Sequence, residues 1–233
     1  PTILEGKRGF YAAYCPDANP EALLNNPEGK WQLHETSIKP WPSCRHTHPA
    51  IDAALEISIQ LKGEIPESIE LGVYQSALDV CDKPNPDSLY DAKFSLQHCV
   101  SIAILCGQVG FDSFESEARQ QASGLAKKFS LKCNEEFEKA YPDAWGAEVK
   151  VKLSNGEEIC VRRKHAKGDP DAPLSPAEMR EKAAMLFSYG GVPDPENWVE
   201  RILKLPGEPS FRDSDLHQLL DVSGNGQWSM QDA

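Results

Sequence analysis

A two-residue turn, Asn155-Gly156, constrains the fold of this chain more than any other feature of its sequence. It joins two runs with strand-like patterning, 147–153 and 158–163. Asn-Gly is the pair that tight hairpin turns favour, because both central positions need a positive φ angle. Strands joined by so short a turn pair antiparallel. The chain therefore cannot consist only of regular strand–helix–strand units with a purely parallel sheet.

Apolar periodicity predicts a helix at 49–62, after the proline-rich segment that surrounds Pro42. Pro49 suits the first helical position and Gly63 suits the C-terminal cap. The expected buried stripe has a spacing of four residues. Its members are Ile51, Leu55 and Ile59.

A second helix is predicted from Ser88, which forms a capping-box pattern with Asp91, to Cys106, with Gly107 ending it. The remaining predicted elements are strands and helices that follow one another without a regular order. Strands are predicted at 31–40, 68–74 and 129–133, and helices at 20–25, 112–127, 175–188, 195–203 and 213–220. This irregular interleaving, together with the antiparallel hairpin, predicts the α+β class.

Charge and hydropathy exclude several kinds of partner. The chain carries 24 basic and 36 acidic residues, a formal charge of −12, which disfavours binding to the phosphate backbone of nucleic acids. No apolar run approaches the roughly 20 residues that a membrane-spanning helix needs. No segment has the pattern of a signal peptide. The first residue is Pro1 rather than Met, so we expect a processed chain, a truncated chain or a fragment.

Seven cysteines, an odd number with no Cys-x-x-Cys pair, argue against a disulfide framework. We expect mostly small buried thiols in a reducing compartment, the cytoplasm or, in a eukaryote, the mitochondrion. An alternative is a zinc site at Cys44, His46 and His48, whose alternate spacing would place them on one face of a strand. It lacks an obvious fourth ligand.

The densest group of reactive side chains lies between 39 and 48, ahead of the predicted helix. A helix start offers free backbone N–H groups and a positive dipole end, which favour anions. Lys39 and Arg45 would add charge for a carboxylate, and His46 and His48 would move protons near neutral pH. The alternative is a proline-rich connector in which His48 caps the helix.

Three weaker signals have simpler interpretations. The segment 221–232 partly fits a calcium-binding loop but lacks the acidic third residue and the glutamate at the twelfth position. The basic run 162–167 follows a hairpin strand, so a solvated edge or an interdomain contact explains it better than a binding patch. Ser95 lies on an apolar helix, and a buried hydroxyl bonded to backbone is expected there.

The segment 39–48, Lys-Pro-Trp-Pro-Ser-Cys-Arg-His-Thr-His, resembles the lid motif of the MmgE/PrpD family. That family includes 2-methylcitrate dehydratase, cis-aconitate decarboxylase and iminodisuccinate epimerase. Three further stretches are similar to family segments in the same order, and the resemblance extends to about residue 220. They are 4–14 before the lid, 91–107 as its buried helix and 168–175 where the chain leaves it.

The resemblance implies a large helical domain into which a smaller α+β lid is inserted. Residues 1–31 would end a helical segment, 32–167 would form the lid, and 168–233 would return to the helical domain. The active site would lie in the cleft between lid and helical domain. The resemblance also implies a homodimer that needs no organic cofactor and acts on small polycarboxylic acids.

Site residues follow from the same resemblance. Lys39 matches a lid lysine placed to hold a substrate carboxylate, and His48 matches a motif histidine, so both are assigned to catalysis. Cys44, Arg45 and His46 are assigned to substrate binding with Lys39. Two positions depart from the animal decarboxylases: Cys44 replaces a histidine, and the lid tyrosine appears as Val80. The resemblance places the other catalytic groups in an N-terminal helical half.

The leading hypothesis is therefore the C-terminal part of a lyase or isomerase that works by dehydration, decarboxylation or epimerisation next to a carboxylate. The alternative is a non-catalytic subunit that needs an N-terminal half for activity. A third hypothesis is a metal-binding or stress-type protein, built on the zinc or calcium patterns above.

Overall fold

The computed structural model describes residues 31–204 and, before them, residues 3, 4, 6, 7, 9–15, 17, 19 and 29. The predicted helices at 20–25 and 213–220 and the calcium-loop pattern at 221–232 lie outside the described residues. Nine helices and four strands are found within the described part of the chain.

One mixed sheet organises the fold. Its strands are β1 (Ser68–Val73), β2 (Phe129–Cys133), β3 (Ala147–Lys152) and β4 (Glu158–Arg163), in the order β2-β1-β3-β4. The β1–β2 pair is parallel, whereas β1–β3 and β3–β4 are antiparallel. The predicted hairpin is confirmed, with Gly156 in its turn at φ +88°. All four of these strands were predicted.

The helices fill the remainder of the described chain. They are α1 (Phe10–Tyr14), α2 (His48–Leu61), α3 (Gln75–Cys81), α4 (Leu89–Lys93), α5 (Leu96–Cys106), α6 (Ser116–Ala126), α7 (Glu135–Ala140), α8 (Pro176–Tyr189) and α9 (Pro195–Lys204). Three 3₁₀ turns accompany them at Gln32–Glu35, Arg45–Thr47 and Phe111–Phe114. Helices and a mixed sheet confirm the α+β class. The two short helices α3 and α7 were not predicted, because seven and six residues are too few to show a helical period.

The strand predicted at 31–40 is wrong. Gln32–Glu35 forms a 3₁₀ turn, and the chain then runs irregularly toward Pro40. Trp31 and Leu33, which the alternation placed on one face, are both largely exposed. No buried face therefore favours an extended conformation here. A backbone hydrogen bond ties this stretch to a distant segment: the Ile38 N–H donates to the Gly168 carbonyl at 2.9 Å.

The predicted helix from Ser88 to Cys106 divides into α4 and α5 at Ser95. Ser88 caps α4 by accepting from the Asp91 N–H at 3.0 Å, as the capping-box pattern predicts. Ser95 caps α5 in the same way, accepting from the His98 N–H, and its hydroxyl donates to the Lys83 carbonyl at 2.6 Å. The predicted buried, backbone-bonded serine is thus confirmed, but Ser95 lies between two helices and caps the start of α5.

The buried stripe predicted for α2 is only partly correct. Ile51 is fully buried and Leu55 is partly buried, but Ile59 is 77% exposed. Spacing of four residues drifts around a helix with 3.6 residues per turn, and by Ile59 the drift has reached the solvent. The C-terminal cap also differs from the prediction: Lys62 takes the left-handed conformation at φ 49°, and Gly63 follows it at φ 93°. The buried face of α2 comprises His48, Pro49, Ala50, Ile51, Ala53, Ala54, Ile57 and Leu61.

The core forms where α2 packs against α5 on one side and against β3 and β4 on the other. Alternate residues of β3, among them Val149 and Val151, are fully buried against it. α5 carries nine buried residues out of eleven, including His98 and Ser101. This rigid layer supports the start of α2, where the candidate site lies. In the described residues, no helix combines the length and apolar character required to cross a membrane.

Candidate functional site

The segment 39–48 enters α2 through the 3₁₀ turn Arg45–Thr47. This turn uses backbone donors that the sequence predicted to be free. The Thr47 N–H donates to the Cys44 carbonyl at 2.9 Å, and the His48 N–H donates to the Arg45 carbonyl. Pro49 has no N–H. The helix start therefore keeps its dipole but offers an anion fewer donors than expected, which leaves recognition to the side chains.

Lys39 is the most accessible of the predicted site residues. Its side chain is exposed, and its ammonium donates to the Ser43 carbonyl at 3.0 Å. Among the described residues it forms no ion pair with a carboxylate. A lysine held by one backbone carbonyl keeps two N–H donors and its full charge for an incoming anion.

Arg45 is engaged by the protein itself. Its guanidinium pairs with Asp169 at 2.7 Å and lies over the Trp145 ring, with 4.0 Å from Cζ to the ring centroid. Asp169 is nearly buried, so it neutralises much of the Arg45 charge locally. The pair joins the 39–48 segment to the connector after β4.

His46 lies in an aromatic cluster. Its ring stacks on Trp145, with 4.6 Å between centroids, and its Nδ1 forms a 2.7 Å hydrogen bond with the Tyr74 hydroxyl. Burial raises the pKa of Tyr74, so this hydroxyl keeps its proton. Burial and the nearby Arg45 lower the pKa of His46. The ring is therefore neutral at pH 7, and its Nδ1 is engaged by Tyr74.

His48, the first residue of α2, is only 1% exposed. Its ring packs edge-on against Trp41 at 5.3 Å, and its Nε2 has no hydrogen-bond partner within the described part of the chain. Burial is the main cause that lowers the pKa of His48 to about 3. A backbone hydrogen bond with Ser43 opposes this shift, while the charges of Lys39, Arg45 and Lys182 add to it. His48 is thus a neutral imidazole with one unsatisfied nitrogen.

A second lysine, which sequence reasoning missed, lies near this motif. Lys182 on α8 has its pKa lowered by burial and then by the charge of Lys39, and it has no ion-pair partner among the described residues. It lines a cavity of about 460 Å³ together with Trp41 and Leu55. Glu178 and Glu181 line the same cavity, but Glu178 pairs with Lys167. A larger cleft of about 590 Å³ between α8 and α9 includes none of the predicted site residues.

The structure therefore brings Lys39, Arg45 and His48 within electrostatic reach of one another, whereas His46 is held in the aromatic cluster. Cys44 is half-buried at the start of the turn Arg45–Thr47. Of the groups that sequence reasoning missed, only Asp169 carried a signal, since it follows Gly168 in a stretch already matched to the family. Tyr74, Trp145 and Lys182 carried none, because a single aromatic or basic residue outside any recognised motif is ordinary.

Among the described residues the zinc pattern gains no further ligand, and two arginines of the basic run form ion pairs. In the part of the chain that the structure describes, no group of three His, Cys, Asp or Glu side chains could hold a metal ion. In the basic run, Arg162 pairs with Glu136 at 2.7 Å, and Arg163 bonds to Asp52 and Glu56 on α2. The run thus ties β4 to its neighbours.

Comparison with known protein families decides the relationship. The family model described as the MmgE/PrpD C-terminal domain matches residues 41–203, which is most of this chain. The chain belongs to the MmgE/PrpD family. The match includes Arg45, His46 and His48 of the motif and the connector that carries Asp169.

A curated relative is cis-aconitate decarboxylase from Mus musculus. It is 27% identical over 190 residues, which cover 77% of this chain and 38% of the relative. The chain therefore spans well under half the length of the relative that it matches. The relative is an enzyme, and lyase chemistry is thus supported at the level of the family.

Proposed function

We propose that this chain is the C-terminal, lid-bearing portion of an enzyme that acts on small di- or tricarboxylic acids without an organic cofactor. The reaction is dehydration, decarboxylation or epimerisation next to a carboxylate. Membership of an enzymatic family and the similarity to a decarboxylase support the reaction class.

The observation that carries the proposal is the state of Lys39. The chain is strongly acidic, yet this ammonium is exposed and has no carboxylate partner in the described residues, while neighbouring Arg45 is neutralised by Asp169. An unpaired cation beside a neutralised one suits a site that receives its counter-charge from a substrate. We assign Lys39 to binding the substrate carboxylate.

Two neighbours extend this assignment. Lys182 supplies a second uncompensated cation, which suits a substrate with two carboxylates. The unpartnered Nε2 of His48 is a buried polar atom that a substrate or another part of the enzyme would satisfy. Arg45 and His46 would act mainly by fixing the shape of the site, through Asp169 and Tyr74 respectively. Cys44 would line it.

These groups are suited to bind, orient and stabilise charge. Breaking a C–H or C–C bond beside a carboxylate develops negative charge, which preorganised cations stabilise. Proton abstraction also needs a base with a suitable pKa, and His48, with its pKa lowered to about 3, is a weak one. We therefore assign the remaining acid–base groups to an N-terminal helical half, with a homodimer as the working form.

The path of the chain supports a lid inserted between helical segments. Residues 32–167 are proposed as the lid, flanked by the segments 1–31 and 168–233. Ile38 and Gly168, close to its two proposed ends, share a 2.9 Å backbone hydrogen bond. An inserted domain enters and leaves its host at neighbouring points, and this contact fits that arrangement.

The second candidate is a non-catalytic subunit that completes an N-terminal half. The exposed apolar side chains of the C-terminal helices favour a packing partner, since contiguous exposed apolar surface commonly marks an interface. They include Leu186 and Tyr189 on α8 and Ile202 and Leu203 on α9.

Proton NMR in D₂O tests both candidates. The chain is incubated with cis-aconitate, 2-methylcitrate and iminodisuccinate, alone and with an N-terminal half of the family. We expect turnover of one substrate when both halves are present. Lys39→Ala should lower kcat/KM by about 100-fold, the loss typical of removing one charge-stabilising donor. Lys127→Ala, an equally exposed lysine at the end of α6, is the matched control and should leave the rate unchanged.

The outcomes separate the candidates. Turnover that Lys39→Ala leaves intact would overturn the assignment of this residue. Turnover by the chain alone would show that the N-terminal groups are dispensable. Tight association of the halves with no reaction on any substrate would favour the non-catalytic subunit.

A further inference from the structure

Two buried hydroxyl groups lie within the 39–48 segment. They belong to Ser43, which is 3% exposed, and to Thr47, which is fully buried at the end of the turn before α2. Their oxygen atoms lie 2.9 Å apart and share a hydrogen bond. Neither residue is among the predicted site residues. Buried hydroxyls need hydrogen-bond partners, so the bonds that these two form determine how the segment is held.

The positions of the protons fix the direction of this bond. The Thr47 hydroxyl lies 2.8 Å from the Cys44 carbonyl, which can only accept, so Thr47 donates its single proton there. The Thr47 oxygen must then accept from the Ser43 hydroxyl. Cys44 is itself held, because its N–H donates to the Lys93 carbonyl at 2.9 Å. A one-way chain of hydrogen bonds thus runs from Ser43 through Thr47 to backbone that is anchored on α4.

The carbonyl of Ser43 is the group that holds Lys39, since it accepts from the ammonium at 3.0 Å. Among the described residues, the backbone between Ile38 and Cys44 forms no hydrogen bond with other backbone groups. The two prolines of this stretch have no N–H group to donate. The hydroxyl bond to Thr47 is therefore the polar contact that sets the orientation of Ser43, and with it the carbonyl that faces Lys39.

We propose that Ser43 and Thr47 are positioning residues for the Lys39 ammonium. Thr47 holds the Ser43 hydroxyl, and the Ser43 carbonyl then fixes one N–H group of Lys39. The two remaining N–H groups are thereby kept in place for an incoming carboxylate. The inference rests on the proposed function, in which Lys39 binds the substrate carboxylate. Ser43 and Thr47 themselves touch no substrate and act only through Lys39.

Removing the Thr47 hydroxyl should displace the ammonium without deleting it. Valine has nearly the shape of threonine but cannot accept a hydrogen bond, so Thr47→Val leaves the buried Ser43 hydroxyl without its partner. Ser43 then turns toward another acceptor, and its carbonyl moves away from Lys39. Because the charge of Lys39 remains, kcat/KM should fall by about tenfold, less than the roughly 100-fold expected for Lys39→Ala. Thr47→Ser, which keeps the hydroxyl, should restore most of the rate.

The first measurement needs no substrate. NMR order parameters of the lysine ε-methylene groups are measured in the whole chain, and the Lys39 signal is assigned by its loss in Lys39→Ala. Lys39 should be more restricted than Lys127, an equally exposed lysine at the end of α6. Thr47→Val should remove this difference between the two lysines, whereas Thr47→Ser should keep it. Circular dichroism checks the fold of each variant.

The second measurement is a double-mutant cycle on kcat/KM in the assay with both halves. Thr47→Val should lower the rate when Lys39 is present and have no effect in Lys39→Ala, because a positioning residue acts only through the group that it positions. A merely structural role of Thr47 would lower the rate equally in both backgrounds. Ser58→Ala is the matched control and should leave the rate unchanged, since the Ser58 hydroxyl also donates to a backbone carbonyl, that of Leu55 at 2.7 Å, but farther along α2.

Equal mobility of Lys39 and Lys127 in the wild type would overturn the proposal, and this result holds even if a variant fails to fold. An unchanged Lys39 order parameter in a natively folded Thr47→Val protein would overturn it too, as would an equal rate loss in both backgrounds of the cycle. If no combination of halves turns over any substrate, the proposed function fails. The order parameters then still decide whether Ser43 and Thr47 hold Lys39.

Discussion

α5 and α8 have similar lengths and opposite environments. α5 buries nine of its eleven residues between α2 and α6, whereas none of the fourteen residues of α8 is buried. α8 is held by a few local contacts, such as Lys167 with Glu178 near its start and the Phe111–Tyr189 stack at its end. The sheet and the helices packed on it thus form a core of their own, whereas α8 and α9 expose apolar side chains of the kind that pack against a partner.

Substitutions of single apolar residues test whether α2 and α8 differ in how far they are packed. Ile57→Ala in the core removes a fully buried side chain and should lower the free energy of unfolding by about 2–5 kcal/mol, through lost burial and the cavity left behind. Leu186→Ala on α8, where the side chain is 45% exposed, should change it by less than about 1 kcal/mol. Urea denaturation measures both.

Ile59→Ala is the matched control within α2. Its side chain is 77% exposed, so the same chemical change should cost less than about 0.5 kcal/mol. A cost for Ile59→Ala close to that of Ile57→Ala would show that the exposed face of α2 is covered in solution. A large cost for Leu186→Ala would likewise show that α8 is already packed in this chain.

The sequence predicted the buried core of the fold better than its exposed segments. Within the core, strands and the longer helices were predicted because period-two and helical patterns are strong where one face is buried, and Asn155-Gly156 specified its hairpin. In the 31–40 stretch an accidental alternation, with Trp31 and Leu33 both exposed, predicted a strand that does not form. Propensity carries little weight where tertiary contacts decide the conformation.

In the candidate site, the sequence predicted the residues of the local motif but not their long-range partners. The dense motif identified Lys39, Arg45 and His48, because reactive residues lay close together in the sequence. It gave no hint that Arg45 meets Asp169, 124 residues away, or that His46 forms a hydrogen bond with Tyr74. Such pairings depend on how the turn, the connector and α3 come together in three dimensions. The environment of His48, which changes its expected role from proton carrier to neutral imidazole, also arises only on folding.

His48 lies where the core meets the motif, and its stability contribution should depend on pH. In the unfolded chain its pKa is about 6.5, and folding lowers the pKa to about 3. As the pH falls below about 6.5, the unfolded state takes up a proton that the folded state refuses, so stability is lost down to about pH 3. At about pH 5 this loss should reach about 2 kcal/mol relative to pH 7.

The measurement compares the free energy of unfolding of the wild type and of His48→Gln between pH 7 and pH 5. The pKa of His46 and of His98 is also lowered by burial, but both residues are present in both proteins, so the difference in slope isolates His48. The charged groups that face His48 are Lys39, Arg45 and Lys182, and they also remain in both. Parallel curves would mean that the ring is solvated in the folded state, contrary to its burial.

The smallest expected effect tests the junction between the two regions, at Gly168. This residue has φ +92°, and a Cβ added to it would lie 1.9 Å from the Ile38 carbonyl oxygen. Gly156, in the hairpin, has nearly the same φ of +88° but open space around it. Both glycine-to-alanine changes carry the cost of a left-handed alanine, about 1–2 kcal/mol. Gly168→Ala should cost on the order of 1 kcal/mol more, because the Ile38 backbone must also move.

Urea denaturation of the two variants measures this difference in the free energy of unfolding. The contacts of residues 168 and 169 determine how it is interpreted. The Ile38–Gly168 hydrogen bond and the Arg45–Asp169 pair hold the motif against the point where the chain leaves the core toward α8. If the extra cost appears, the junction is a fixed part of the core, and only α8 and α9 remain for a partner to position. Equal costs would mean that the connector shifts freely around Gly168. The motif, with Lys39 in it, would then belong with the weakly attached region, and its geometry would depend on the partner as much as that of Lys182 does.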